Sequence, residues 1–281
     1  MGSVIAHDGR VIHDSSRQCS FPVAHNEALH RRFPPVQWVD HTIAVMTDGS
    51  GGANYWHWLI NIVPKFILLQ QGDVWPKIDY FLVDQPLKQL EITLEILGVP
   101  QAKRIPTKFN YSLRSPLVVV PTFIREIPPW ILDGLRTSFL PYGQAPLQPH
   151  PKVYISRRKA QRRRILNEAQ VVDYLVSRGY TVCCLEDLSF LEQVGLFRGA
   201  RYVIGVHGAG LTNLVWGESG GRVLEIFPAV PCRDCYWILA HQAGWDYYYW
   251  YPDSQHGNEN YDADLWIDMA MFPQVVEHFE S

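Results

Sequence analysis

The sequence predicts an α/β protein with parallel, doubly wound sheets in two domains, and three observations carry that prediction. Short apolar and β-branched runs alternate with helical patterns along most of the chain, the order in which strand–helix–strand units stack into parallel sheets. A length of 281 residues suits two cores better than one, since domains usually hold roughly 100 to 150 residues. Pro141, Gly143, Pro146, Pro149 and Pro151 crowd a single stretch between two alternating series. That stretch reads as a linker, giving a domain over residues 1–145 and another over residues 150–281, with the last helix crossing back to pack on the first domain.

In the first half, Asp8-Gly9 between Val4-Ile5 and Val11-Ile12 reads as a hairpin turn, and residues 42–46 read as a strand ending in a glycine loop at residues 48–52. A helix follows from Asn54, apolar nearly all round and so expected to be buried. Its polar exceptions, Asn54, His57, Asn61 and Lys65, are spaced by three, four and four and share one face. Buried polar groups need partners, so this stripe either lines a cleft or satisfies neighbouring loops, with Asn54 as the N-cap. Pro64 implies a kink or break. Strands at 80–83 and 117–120 and helices at 86–97 and 128–139 complete this half.

The second half repeats the alternation. A strand at 152–156, a helix capped by Asn167 and closed by Gly179, a strand at 180–185, and a capping box at Ser189 and Glu192 come first. Residues 202–206 are a strand that stops at His207-Gly208-Ala209-Gly210, and residues 211–216 read as a helix start. A strand at 223–227, a helix at 235–244, an aromatic strand at 247–251 and a helix at 265–279 interrupted by Pro273 close the chain.

Two loops point to chemistry. Gly208 and Gly210 let backbone N–H groups approach a ligand, the following helix aims its positive end at the same spot, and His207 can complete the cradle, so an anion is the expected guest. A tight turn in any α/β protein reads the same way. The second loop, residues 156–164, packs Arg157, Arg158, Lys159, Arg162, Arg163 and Arg164 into one stretch at the carboxyl end of a strand. Arginine forks suit phosphate oxygens, though a solvated basic loop is the plainer reading. Over the whole chain, 28 acidic and 25 basic residues leave a net charge of −3, which gives no general attraction to nucleic acid or to an anionic membrane. A peripheral membrane contact stays open.

Five cysteines without pattern (Cys19, Cys183, Cys184, Cys232, Cys235) argue for reduced thiols, and no zinc spacing accompanies the Cys232/Cys235 pair. Neither a signal-peptide core nor a membrane-spanning apolar run is present in the sequence, and a cytoplasmic location is expected. Asp262-Ala-Asp264 looks like a metal-binding pair but is read as the acidic cap of the final helix, so no metal is expected.

Four motifs, taken together, carry a resemblance: Asn54-Tyr-Trp-His57-Trp followed by Pro64; Ile155-Ser-Arg157 with Arg163-Arg-Ile-Leu-Asn167-Glu168; His207-Gly-Ala-Gly-Leu-Thr-Asn213; and Glu225-Ile-Phe-Pro228. In order and separation, over roughly residues 40 to 250, they resemble glycosyltransferase family 61. The resemblance implies a GT-B fold, two Rossmann-like domains facing each other across a cleft. It also implies inverting, metal-independent transfer, without a cofactor, from a nucleotide-sugar donor to a glycan or other hydroxyl acceptor, in surface or capsular polysaccharide synthesis. Arg157, Arg163, His207 and the turn of Gly208, Ala209, Gly210 and Asn213 would hold the donor diphosphate, with Glu225 near the ribose. Asn54 and Asn61 would line the cleft, and His57, or alternatively Asp48, would serve as catalytic base. Family members often carry a carboxylate where this chain has Asn61 and an arginine where it has Lys65. Two rival readings remain: a non-catalytic nucleotide-sugar or glycan-binding module, and a dinucleotide-dependent oxidoreductase, for which Asn213 stands where the fingerprint's third glycine would be.

Overall fold

The computed structural model describes residues 4–6, 10, 12, 35–47, 52–107, 112–121, 127–146, 150–228, 233–252 and 262–281. The chain forms two compact units, Met1–Ile127 and Pro128–Ser281, both α/β with parallel sheets.

In the first unit, β1 (Val36–Trp38) pairs with β5 (Ser112–Arg114), while β2 (Ile43–Met46), β3 (Tyr80–Val83), β4 (Arg104–Pro106) and β6 (Val118–Val119) form a parallel sheet in the order β4-β3-β2-β6. The N-terminal pairing is present, Ile12 donating to the Val4 carbonyl at 2.8 Å, but the Asp8-Gly9 turn itself lies outside the described residues. The buried helical stretch runs as α1 (Tyr55–His57), a π-helical turn (Trp58–Ile62) and α2 (Val63–Gln70). Pro64 therefore neither breaks nor ends the helix. The wider turn before it, in which Val63 N–H reaches the Trp58 carbonyl, lets the helix continue past a residue that cannot donate. α3 (Glu91–Ile96) follows a single 3₁₀ turn and ends before Gly98, whose φ of 66° reverses the chain.

In the second unit, β7 (Lys152–Ile155), β8 (Thr181–Cys183), β9 (Tyr202–Val206), β10 (Arg222–Ile226) and β11 (Asp246–Trp250) make a wholly parallel sheet in the order β11-β10-β9-β7-β8. The helices here are α4 (Pro129–Phe139), α5 (Glu168–Ser177), α6 (Phe190–Arg198), α7 (Cys235–Ala243) and α8 (Phe272–Glu280). A parallel sheet buried on both faces accounts for the continuous apolar runs Val203-Ile204 and Val223-Leu224, all 1% exposed or less.

Three expectations change here. The units divide between Ile127 and Pro128, ahead of the proline-rich stretch, because α4 packs with the second half: Phe139 meets Phe190 and Trp216 edge-on, and Arg136 donates to the carbonyls of Val215 and Gly217. The last helix also stays with this unit. Phe272, Val276 and Phe279 enter the core beside Tyr154 and Ile204, and Glu280 pairs with Lys152 and Arg178. Finally, α8 begins at Phe272 with Pro273 in its first turn, where a missing N–H costs nothing, rather than running from residue 265 across a break.

Candidate active site

β9 lies between β10 and β7 with all three parallel, so their carboxyl ends share one edge of the sheet. Ligands of such sheets bind beyond that edge. His207 continues the ladder for one more residue, its N–H donating to the Ile226 carbonyl at 2.8 Å. Gly208 then turns away in an extended conformation, and a Cβ there would stand 2.5 Å from Arg157 Nη1. The missing side chain is what lets a guanidinium lie against the turn. The next segment, Ala209–Trp216, is a 3₁₀-helix rather than the expected α-helix. Asn213 holds it: its Nδ2 donates to the Gly210 carbonyl and to Gln193 Oε1, and its Oδ1 accepts from Trp216 Nε1. Asn213 is fully buried and serves the turn from within, while Ala209 and Gly210 are half-buried at its start.

The basic loop between β7 and α5 converges on the same turn. Glu168 anchors its beginning, one carboxylate oxygen accepting from the Arg157 N–H at 3.1 Å and from the Tyr154 hydroxyl at 2.9 Å. Arg157 Nε and Nη2 donate to the carbonyls of Arg163 and Arg162, and Arg163 Nη1 donates to the His207 carbonyl at 2.9 Å. Two guanidinium groups thus meet at His207 and Gly208. Burial lowers the pKa of Arg157, the charge of Arg163 acts in the same direction, and Glu186 and Tyr236 oppose it. A desolvated cation pair of this kind gains from an anionic guest.

Every cation of the loop except Arg157 also pairs with a carboxylate, Arg163 included. Arg158 and Lys159 pair with Asp187, Arg162 and Arg163 with Asp262, and Arg164 with Asp264. Asp262 and Asp264 therefore do not cap the final helix; they lie ten and eight residues before its first residue, Phe272, beside the arginines. Asn167, expected to cap α5, makes no capping bond and bonds instead to the backbone of Ile267 in both directions.

The ring of His207 is buried. Its Nδ1 bonds Glu225 Oε1, it stacks on Phe227 with centroids 5.3 Å apart, and Tyr236 meets it edge-on. Glu225 is itself fully buried, and its second oxygen accepts from the Tyr247 hydroxyl at 2.6 Å. Both carboxylate oxygens are used inside the protein, so Glu225 presents no surface to a ribose and instead fixes the imidazole. Tyr247 was invisible as a partner in the sequence, where it is one aromatic residue in a run of them.

In the first unit, Asn54 is the N-cap, accepting from the N–H groups of Trp56 and His57 at 2.9 and 3.3 Å. His57 is half-buried at the end of α1; Asn61 is buried within the π turn. Lys65 is 4% exposed and donates to the Thr47 carbonyl at 2.5 Å. Asp48 lies outside the described residues.

The sequence pattern of Glycosyltransferase 61 matches residues 55–224. The chain belongs to glycosyltransferase family 61. Among individual proteins it is 34% identical over 110 residues to the EGF domain-specific O-linked N-acetylglucosamine transferase of Canis lupus familiaris, covering 35% of this chain and 20% of that one. The protein of the same name from Mus musculus is 31% identical over 161 residues, covering 48% and 29%. The protein O-linked-mannose beta-1,4-N-acetylglucosaminyltransferase 2 of Canis lupus familiaris is 30% identical over 143 residues, covering 47% and 24%. The matched part thus spans less than a third of the length of these relatives. The family match takes in His57, Asn61, Arg157, Arg163 and the turn from His207 to Asn213, and ends one residue before Glu225. Among the described residues no three His, Cys, Asp or Glu side chains are grouped to hold a metal ion, and no helix is long and apolar enough to cross a membrane.

Proposed function

We propose that this chain transfers a sugar from a nucleotide-sugar donor to a hydroxyl of a glycan or other acceptor, with inversion and without a metal. The observation that carries this reading is the convergence of Arg157 and Arg163 on the His207–Gly208 turn at the carboxyl edge of a parallel sheet. A departing nucleoside diphosphate develops negative charge there, and preorganised guanidinium groups stabilise it without reorganisation, as a divalent cation does elsewhere. His57 is the group that would take the acceptor proton, with Asp48 as the alternative. The GT-B arrangement and a role in surface or capsular polysaccharide synthesis belong to this proposal. The names of the relatives make N-acetylglucosamine the first donor sugar to try.

Release of nucleotide from a set of nucleotide sugars, measured without acceptor and with EDTA present, tests the reading. Slow release that EDTA leaves unchanged is expected. Activity abolished by EDTA and restored by manganese would remove the metal-independent clause. Binding without release of nucleotide from any sugar would favour the non-catalytic module.

A further inference from the structure

Residues 262–267 run beside residues 162–167 as a strap, each contact joining positions about one hundred apart. The backbone is tied at several points. Arg163 N–H donates to the Asp262 carbonyl at 3.3 Å, Leu265 N–H to the Arg164 carbonyl at 2.8 Å, and Leu166 N–H to the Leu265 carbonyl at 2.8 Å. Side chains add to this: Asp264 Oδ1 accepts from Arg164 N–H at 2.8 Å, and Asn167 bonds Ile267 through both ends of its amide. Leu265 and Ile267 point into the core beside Ile165, which anchors the strap.

The strap lies against the one non-glycine residue among those described that has a positive φ, Arg163 at 56°. Backbone in that region is strained for a residue with a Cβ and persists only where its surroundings over-determine it. Here the surroundings are the strap on one side and the Arg157 guanidinium, bonded to the Arg163 carbonyl, on the other. From this conformation Arg163 Nη1 reaches the His207 carbonyl.

We infer that Asp264 is a positioning residue: the strap it belongs to holds Arg163 in its strained conformation and so keeps the second guanidinium at the anion-binding turn. This rests on the nucleotide-site reading above. A different use of the strap's aspartates, competing with phosphate for the arginines, predicts the opposite sign. For Asp264 the geometry favours positioning, because one oxygen accepts from the Arg164 backbone N–H and the other takes the guanidinium of Arg164, which is neither of the two at the turn, whereas the carboxylate of Asp262 pairs with the guanidinium groups of Arg162 and Arg163. The Asp264 carboxyl is held below the ordinary range by the Arg164 side chain first and the Arg164 backbone second.

The test uses the full chain with uridine and guanosine diphosphates as probes, and the variants Asp264→Ala and Asp264→Asn. Asparagine keeps the oxygen that accepts from Arg164 N–H and replaces the other, which accepts from the Arg164 guanidinium, by an amide NH2. Asp264→Ala should weaken binding of whichever probe the wild type takes by about tenfold, with Asp264→Asn recovering most of it. In the same Ala variant, hydrogen exchange at the Leu166 amide should accelerate while core amides of β9 stay protected. Equal or tighter binding by Asp264→Ala, or an unchanged Leu166 amide, overturns the proposal. If the wild type binds neither probe, the nucleotide reading falls, and the exchange result still decides whether the strap holds the loop.

Discussion

The helix through His57 and the turn at Gly208 draw on the same kinds of polar side chain and use them differently. In the helix, Asn54 caps its own N-terminus and Lys65 satisfies the nearby Thr47 carbonyl, so half of the stripe serves local structure. At the turn, Arg157, Arg163 and His207 come from two separate loops and meet, while Asn213 and Glu225 brace them from the buried side. A polar stripe on a buried helix is first a matter of hydrogen-bond satisfaction. Convergence of residues distant in sequence is the stronger sign of a site.

In the proposed reaction only His57 ties this helix to the chemistry, and its removal should have the largest effect. As the proposed base it would touch no phosphate, so His57→Ala should lower turnover by about a hundredfold or more while nucleoside diphosphate affinity stays near wild type. If the variant melts early yet turns over normally when folded, the whole helix is structural and Asp48 is the next residue to test. A melting curve run beside turnover and titration separates these outcomes.

At the turn, Gly208→Ala should act through Arg157. The new Cβ would sit 2.5 Å from Nη1, the far end of a flexible side chain, and the extended backbone tolerates alanine. The fold should survive and nucleotide affinity fall by about tenfold as the guanidinium is displaced. Wild-type affinity in this variant, measured by calorimetry, would show that Arg157 does not work from that position.

A control away from both regions is Glu280, which ties α8 to Lys152 and Arg178. Burial alone would raise its pKa, but the bonds from Lys152 and Arg178 outweigh it, and the carboxyl is held below its ordinary range. A depressed carboxyl pKa stabilises the fold above the ordinary carboxylate range, and that stability is lost as pH falls through the folded value. Glu280→Gln should therefore lower Tm by about 2–4 °C at neutral pH, with the difference closing in acid, and leave nucleotide binding unchanged. A constant difference across pH would mean that the ion pairs contribute nothing.

Much of this was legible in the residues. Apolar runs ending at glycine or proline marked most strands within two residues, and Ser189 with Glu192 announced a capping box that the structure contains. Arg157, Arg163 and Gly208 could be paired because both loops leave the same edge of a parallel sheet. Other features depend on contacts that no local pattern encodes. The π turn before Pro64 and the 3₁₀ segment held by Asn213 have the composition of ordinary α-helix. The strap joins residues a hundred apart, and Asp262 and Asp264 gain their meaning only from arginines across that distance. The family resemblance placed Glu225 near a ribose; the Tyr247 hydroxyl and the His207 ring claim its carboxylate instead.

The proposed grip of the second unit on a diphosphate runs through Arg157 at the Gly208 turn. Calorimetric titration of uridine and guanosine diphosphates, with EDTA throughout, into wild type and Arg157→Ala tests it most directly. One probe should bind the wild type, and the variant should lose about ten- to a hundredfold in affinity, as expected for a charge-assisted contact worth about 1.5–3 kcal/mol. Equal affinity in the two proteins, or binding that appears only when a divalent metal is added, would contradict it.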